Sequence, residues 1–350
     1  MLDINLESSI NEVDYNFLLN NSSEINFYNK LEWHNVLKKT FNLELNYLTI
    51  YENKKIKGAL AFCEVSSFIK GKRLISLPLS HQVPLLVIEK KYLNLALNKM
   101  NELSSKFNYI ELKGVESFTK DRLNNTSFYR SENLSNCIEL NKFTSYNNYL
   151  SSLSSNVRRK VNKATSIFEV ITDKNLETFE HLGRLISYSK LKHGAPVYPE
   201  EFLINIYNLV PQDNYDIYLG KYNNEFVSAI IIFKFNGHHI YYTGGSIQDH
   251  ESSKYYCNYL LFNKAIENAF NQRAKIFDFG TSPKNHHSLI EFKKKWQPVT
   301  NTHQSLFISN HYINPIAREG ILSSMVAYTL KSLPVKTSKY LSKRLLLEAL

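Results

Sequence analysis

YLTIYENKKIKGALAFCEV at residues 47–65 and IYLGKYNNEFVSAIIIFKF at residues 217–235 carry one pattern. In both, apolar residues rich in β-branched and aromatic types flank an Asn-containing turn, which reads as a β-hairpin. The first gives a strand from Tyr47 to Tyr51, a Glu52-Asn53 turn and a strand from Ile56 to Val65. The second gives Ile217 to Tyr222, an Asn223-Asn224 turn, and Phe226 to Phe235. Laying Tyr51 on Tyr222 places Ile56 on Val227 and Leu60 on Ile231, an offset of 171. Upstream of each hairpin lies a helical stretch, marked by Leu31, Val36, Leu37 and Phe41 in one case and by Phe202 to Leu209 in the other. Downstream, a helix over Tyr92–Phe107 feeds the strand Tyr109-Ile110-Glu111-Leu112, and a helix over Lys254–Gln272 feeds Ile276-Phe277-Asp278-Phe279, at an offset of 167. Helix–hairpin–helix–strand order is common by itself. Two near-equal offsets in the same order argue for a duplicated α/β unit with mixed sheets flanked by helices.

The rest of the chain fits two such units and a tail, with boundaries expected at 1–145, 146–310 and 311–350. A length of 350 residues, 43% hydrophobic and 13% aromatic, is enough for two packed cores and argues against disorder. No apolar run approaches the roughly 18 residues that a spanning helix needs. The opening MLDINLESSINEVD is acidic and lacks the basic, then apolar, run of a secretory leader, so the expected location is the cytoplasm. Cys63, Cys137 and Cys257 are an odd, widely spaced set with no C-x-x-C pair, which fits reduced core thiols rather than zinc.

The net charge of +10 is local. Residues 156–165 carry +4, residues 284–295 carry +3 and residues 331–350 carry +4, so the remainder nets −1. Such patches suit phosphates, nucleic acid or an anionic membrane, and equally suit solvated faces. The tail, with Lys336, Lys339, Lys343 and Arg344 beside Leu341 and Leu345 to Leu347, suits a helix resting on the inner face of a membrane or docked on its own domain.

Within SLIEFKKKW, residues 288–296, helical spacing puts Leu289, Phe292, Lys293 and Trp296 on one inward stripe while Glu291, Lys294 and Lys295 point away. Lys293 must then either snorkel outward or meet an anion. Asp278 sits on an otherwise apolar strand, Ile276-Phe277-Asp278-Phe279, that ends at Gly280-Thr281-Ser282; a carboxylate at the carboxyl end of a buried strand either lines a site or caps the loop through backbone N–H groups. Tyr242-Thr243-Gly244-Gly245-Ser246 ends another strand; its glycines either admit a ligand to the backbone or simply make a turn. His238-His239 and His286-His287 lack metal-ligand spacing, and no G-x-S-x-G, Walker or G-x-G-x-x-G motif is present.

Several ordered motifs are shared with a known family. They are the Glu32-Trp33 helix, Ser76-Leu77-Pro78, Asn156-x-Arg158-Arg159-x-x-x-Lys163-Ala164, His193-Gly194-x-Pro196-x-Tyr198-Pro199, Gly244-Gly245-Ser246, Asp278-Phe279-Gly280 and Phe292-Lys293-x-x-Trp296. Over roughly residues 25–310 the chain resembles the Fem-like branch of the GNAT superfamily, the peptidoglycan-bridge aminoacyltransferases and the FemAB-like N-acyltransferases of envelope polysaccharide loci. The resemblance implies tandem GNAT-like domains and transfer of an acyl or aminoacyl group to an amine of a cell-envelope sugar or peptidoglycan precursor. In the Fem-like enzymes a Phe-Lys pair serves the acyl-transfer site, which maps onto Phe292 and Lys293, so Lys293 would offset charge on the tetrahedral intermediate.

Lys293 and Asp278 are therefore the expected catalytic residues. The expected substrate contacts are Phe292, Trp296, Tyr242, Gly245, Ser246, Tyr198, His193, Arg158 and Arg159, with Lys38 as a phosphate-binding lysine of the first domain. No metal is implied. The usual pyrophosphate loop, Q/R-x-x-G-x-G/A, is missing from Gly244–Lys254. That departure shifts the donor from acyl-CoA toward acyl carrier protein or aminoacyl-tRNA, and the basic helix at Arg158–Lys163 suits a tRNA backbone. A lipid-linked or small-molecule sugar or peptide is the implied acceptor. A tRNA-dependent aminoacyl ligase and a non-catalytic module binding polyanions or membrane are the alternatives.

Overall fold

The computed structural model describes residues 1–68, 70–114 and 128–312, with Thr337, Leu341, Leu345 and Leu346. Apart from those four positions, the tail expected beyond Tyr312 lies outside the described residues. Chain contacts separate two compact units, one formed by Met1–Glu132 with the segment returning at His303, the other by Asn133–Thr302. Among the described residues no helix is long and apolar enough to cross a membrane.

The first unit runs β1 (Leu2–Glu7), α1 (Glu12–Asn21), α2 (Leu31–Phe41), β2 (Glu44–Glu52), β3 (Lys55–Ser67), β4 (Gly71–Ile75), β5 (Leu86–Val87), α3 (Lys91–Leu103) and β6 (Tyr109–Lys113). The second runs β7 (Phe128–Glu139), α4 (Tyr146–Ser152), α5 (Ser155–Thr165), β8 (Glu169–Ile171), α6 (Leu176–Lys192), α7 (Glu200–Leu209), β9 (Tyr215–Tyr222), β10 (Glu225–Phe235), β11 (His238–Ser246), α8 (Cys257–Asn271), β12 (Ile276–Pro283) and α9 (His287–Lys294), before β13 (Val299–Ile308). β7 and β13 each straddle the division between the units.

Both expected hairpins form, β2–β3 and β9–β10. Their turns are the two-residue loops Asn53-Lys54 and Asn223-Asn224, with φ of 51°, 62°, 47° and 66°, the left-handed pair that matches strand twist. The first turn thus sits one residue later than expected, because Glu52 pairs with Lys55 and still belongs to the strand. Each unit then adds a parallel pair, β4 with β6 in the first and β11 with β12 in the second. The sheet orders are β1-β2-β3-β4-β6-β13 and β8-β9-β10-β11-β12-β7. The strand that follows β6 in sequence therefore pairs with β12 of the second unit, and the one that follows α9 pairs with β6 of the first.

The first core gathers Phe27, Tyr28 and Trp33 at ring-centroid separations of 5.7–6.0 Å, and the Trp33 indole N–H donates to Ser80 Oγ at 2.8 Å. His34 is buried beside them; its ring nitrogens lie 3.2 Å from the Tyr28 carbonyl and 3.2 Å from the Tyr47 hydroxyl. Burial pushes its pKa down to about 4, although the Tyr28 carbonyl acts the other way. The fold thus refuses a proton that the unfolded chain accepts near pH 6.5, and stability falls as pH drops from there toward 4. The shift is on the order of 3 kcal/mol. His34→Gln should lower stability slightly at pH 7 yet flatten this acid slope, measured as urea midpoints at pH 7 and 4.5.

In the second core α5 presents Val157, Val161 and Ala164 to α8, and Ser154 caps the helix by accepting from the Val157 N–H. α8 starts at Cys257, three residues later than expected, because Glu251–Tyr255 forms a 3₁₀ turn and Tyr256 is left-handed, with φ 66°.

Candidate active site

β11 and β12 pair from His238↔Ile276 to Ile240↔Asp278, after which β11 runs on to Ser246 and β12 to Pro283. Between Asp278 and Thr281 the register of β12 against β7 jumps, and Gly280 there takes φ 69°. Such a bulge bends the strand. Where the two strands part, a cavity of about 230 Å³ is lined by Gly244, Gly245 and Ser246 of β11, Phe279 of β12, and Phe292 and Lys293 of α9.

α9 orients its side chains as the spacing predicts. Lys293 is only 2% exposed, Phe292 is half-buried, and Glu291, Lys294 and Lys295 are exposed. Lys293 neither snorkels nor meets a carboxylate directly. Its Nζ donates to the Gly280 carbonyl at 3.0 Å and the Thr281 carbonyl at 3.3 Å. An ammonium has three N–H donors, so one is left for a ligand. Burial pushes the Lys293 pKa down to about 8, opposed by the negative charge of Asp278.

Of the two roles open to Asp278, the bond observed is the cap: its Oδ1 accepts from the Gly280 N–H at 2.7 Å. Asp278 does not line the cavity. It holds the bulge whose carbonyls accept from Lys293. Trp296 is fully buried beneath Phe292, against Tyr259 and Phe262, where it packs the core instead of facing the cavity.

The remaining expected residues divide by location. Gly245 and Ser246 line the cavity. Tyr242 is buried with Phe233 and Phe202, and Tyr198 lines a different, larger cavity. His193 is exposed and reaches the Lys293 cavity only through Gln248, with 3.1 Å between its Nε2 and Gln248 Nε2. Arg158 is occupied by the Ser151 and Leu153 carbonyls at the end of α4, and Arg159 is exposed beside Asn156. Lys38 is exposed on α2 of the first unit. Ser189, Gln248 and Asn258 also line the cavity and were missed, because no local motif marks them and only the packing of α6, α8 and the loop after β11 brings them there.

The start of α8 has its own character. Tyr256, its N-cap, offers no side-chain cap to the first N–H groups. Lys160 of α5 lies over the Tyr256 and Tyr259 rings at 4.8 and 4.9 Å, Lys163 over Tyr255 at 5.0 Å, and Lys254 over Tyr255 at 5.1 Å. An uncapped helix N-terminus among lysines is suited to phosphate. Among the described residues no group of three or more His, Cys, Asp or Glu side chains is placed to hold a metal.

Residues 151–294 match the family described as acetyltransferase (GNAT) domain. No curated protein matches the chain. Among solved structures, the chain is similar to FemX at 13% identity and a TM-score of 0.65, over 86% of this chain and 96% of that one. It is also similar to a tandem GNAT protein from the clavulanic acid biosynthesis pathway, at 9% identity and a TM-score of 0.57, over 90% and 100% of the two chains. L-PGS from Bacillus licheniformis matches at 12% identity and a TM-score of 0.54, over 93% and 99%. At these identities the likeness is one of fold, and that fold is the tandem GNAT arrangement.

Proposed function

We propose, from the match of residues 151–294 to the acetyltransferase (GNAT) domain, that the protein is an acyltransferase of the GNAT superfamily that transfers an acyl or aminoacyl group to an amine of a cell-envelope sugar or peptidoglycan precursor. The observation that carries the reading is Lys293, a buried ammonium clamped by two carbonyls on the wall of the cavity where β11 and β12 part. As the acceptor nitrogen bonds to the acyl carbon, the carbonyl oxygen gains negative charge, and the remaining Lys293 donor stabilises it. The intermediate then collapses. The C–O or C–S bond to the donor breaks, the donor leaves with the electron pair, and the nitrogen loses its proton. No carboxylate or imidazole lines the cavity among the described residues, so that proton goes to the leaving group or to solvent.

For the donor, the start of α8 supports a phosphorylated carrier, with its acyl arm running along the free end of β11 toward Lys293. The α5 lysines extend the positive surface beyond what one pyrophosphate needs, which favours acyl carrier protein or aminoacyl-tRNA. Reversing both charges, Lys160→Glu with Lys163→Glu, should raise the donor KM at least about tenfold with kcat little changed, and should lower the salt slope by about 1–2. Steady-state kinetics at two salt concentrations check this.

Mass spectrometry of envelope glycans and peptidoglycan precursors, from cells with and without the protein, tests the whole reading. An N-acyl or aminoacyl mass increment that vanishes with the protein is expected, and identical spectra would overturn it.

A further inference from the structure

Asparagine is favoured at a helix start because its side-chain oxygen can take one of the first backbone N–H groups. Asn258, the second residue of α8, does not do this: no side chain caps the helix, and the Asn258 Oδ1 accepts from the Ser228 hydroxyl of β10 at 2.5 Å. Ser228 is 1% exposed, so water does not compete for that bond. Beside it Cys257 is kept a thiol by burial, which pushes its pKa up to about 12, and so takes no proton from Ser228. A hydroxyl has one O–H to give, and here it goes to Asn258. With its oxygen tied down, the amide has a set direction, and its N–H donors meet no acceptor among the described residues.

Asn258 lines the Lys293 cavity. Phe262, one turn further along α8, lines it as well, and its ring lies 5.4 Å from that of Phe292, the neighbour of Lys293 on α9. The hollow has the bulk of roughly eight waters, so donors on its walls address the same few atoms. Lys293 is the one charged side chain lining it among the described residues. Tyr241, Ser189 and Ser246 bring hydroxyls, which rotate, whereas the Asn258 amide is oriented in advance.

We infer that Asn258 is a second oxyanion donor, its side-chain N–H groups sharing with Lys293 Nζ the negative charge that forms on the acyl oxygen. As the amine nitrogen bonds to the acyl carbon, the π pair of the carbonyl moves onto oxygen, where both residues donate to it. On collapse that pair re-forms the carbonyl, the donor's oxygen or sulfur leaves with the electrons of its bond, and the nitrogen's proton passes to the leaving group or to solvent. Donors fixed beforehand need no reorientation at that moment. Ser228 touches no reacting atom and is a positioning residue. The inference deepens the proposed function, and it rests on that reading for the identity of the anion as a reaction intermediate; the donor pair itself is testable without turnover.

The test is calorimetric titration of the full chain with butylphosphonate, a tetrahedral oxyanion on a short apolar tail. Binding is expected, and Asn258→Leu and Lys293→Met should each weaken it at least about tenfold, the loss of a hydrogen bond to a charged group. Asn258→Leu also strands the buried Ser228 hydroxyl and should lower the thermal midpoint. Combining it with Ser228→Ala removes both partners, so the midpoint should return toward that of the wild type while the probe stays as weakly bound. That double variant serves alone if the single one does not fold. On the amine substrate that the envelope spectra identify, Asn258→Leu should lower kcat about 10²–10³-fold with KM within about threefold of wild type. No binding by the wild type, binding unchanged in either single variant, binding restored in the double variant, or an unchanged kcat would each overturn the inference. Identical envelope spectra with butylphosphonate binding still sensitive to Asn258 would instead overturn the acyl-transfer reading and leave the oxyanion site standing.

Discussion

Lys293→Met is expected to lose acyl transfer by 10²–10³-fold and, at the same time, to make the protein more stable. The activity loss is that of removing one donor aimed at a developing oxyanion. The stability gain follows from the environment. Lys293 is held charged where burial favours the neutral amine, as its pKa of about 8 records. Against the 10.5 of a free lysine, that is a cost on the order of 3 kcal/mol at pH 7. Methionine has similar length and no charge to desolvate. Leaving the Gly280 and Thr281 carbonyls without their donor returns about 1–2 kcal/mol of the gain. A net rise of about 1–2 kcal/mol remains, read as an increased urea midpoint.

The pH dependence separates this from ordinary repacking. Between pH 8 and 10.5 the unfolded wild-type chain binds a proton that the folded one has released, so wild-type stability rises with pH across that window. The methionine variant lacks this contribution. Its advantage should therefore be full below pH 8 and should shrink by pH 10.5. A variant destabilised at pH 7, or a gap independent of pH, would mean that Lys293 serves the fold and is not held there under electrostatic cost.

Much of this arrangement was legible from local pattern. An Asn-containing turn between apolar strands marks a hairpin, so the duplication showed in residues 47–65 and 217–235, although the first turn falls at Asn53-Lys54 and not at Glu52-Asn53. Helical spacing alone placed Lys293 inside and its two lysine neighbours outside. What remained hidden is non-local. Nothing within Phe128–Glu139 or Val299–Ile308 says that the first pairs with β12 and the second with β6, since those partners lie far away in the sequence. Asp278 was read as having two open roles because a carboxylate at a strand end has the same sequence whether it faces a ligand or caps a bulge. Ser189 and Gln248 carry no motif, and they matter through where α6 and the loop after β11 come to rest.

Gly245 shows the same limit, and its substitution is the second large effect expected. The Gly-Gly strand end reads as a place where backbone approaches a ligand. In the folded unit, a Cβ on Gly245 would lie 2.2 Å from the Leu185 carbonyl oxygen and 2.7 Å from the Ile186 nitrogen. Both are backbone atoms of α6, and no rotamer change removes them. Gly245→Ala must therefore lift α6 off β11, at a cost of about 3 kcal/mol or more, and the shift carries Ser189 out of the Lys293 cavity. Loss of both midpoint and turnover is expected. Ser246→Ala, one residue on, should leave the urea midpoint within about 1 kcal/mol of wild type. If Gly245 instead served ligand approach alone, its alanine variant would keep the wild-type midpoint and change only KM. Urea denaturation of the two variants side by side distinguishes a glycine required by a neighbouring helix from one required by a substrate.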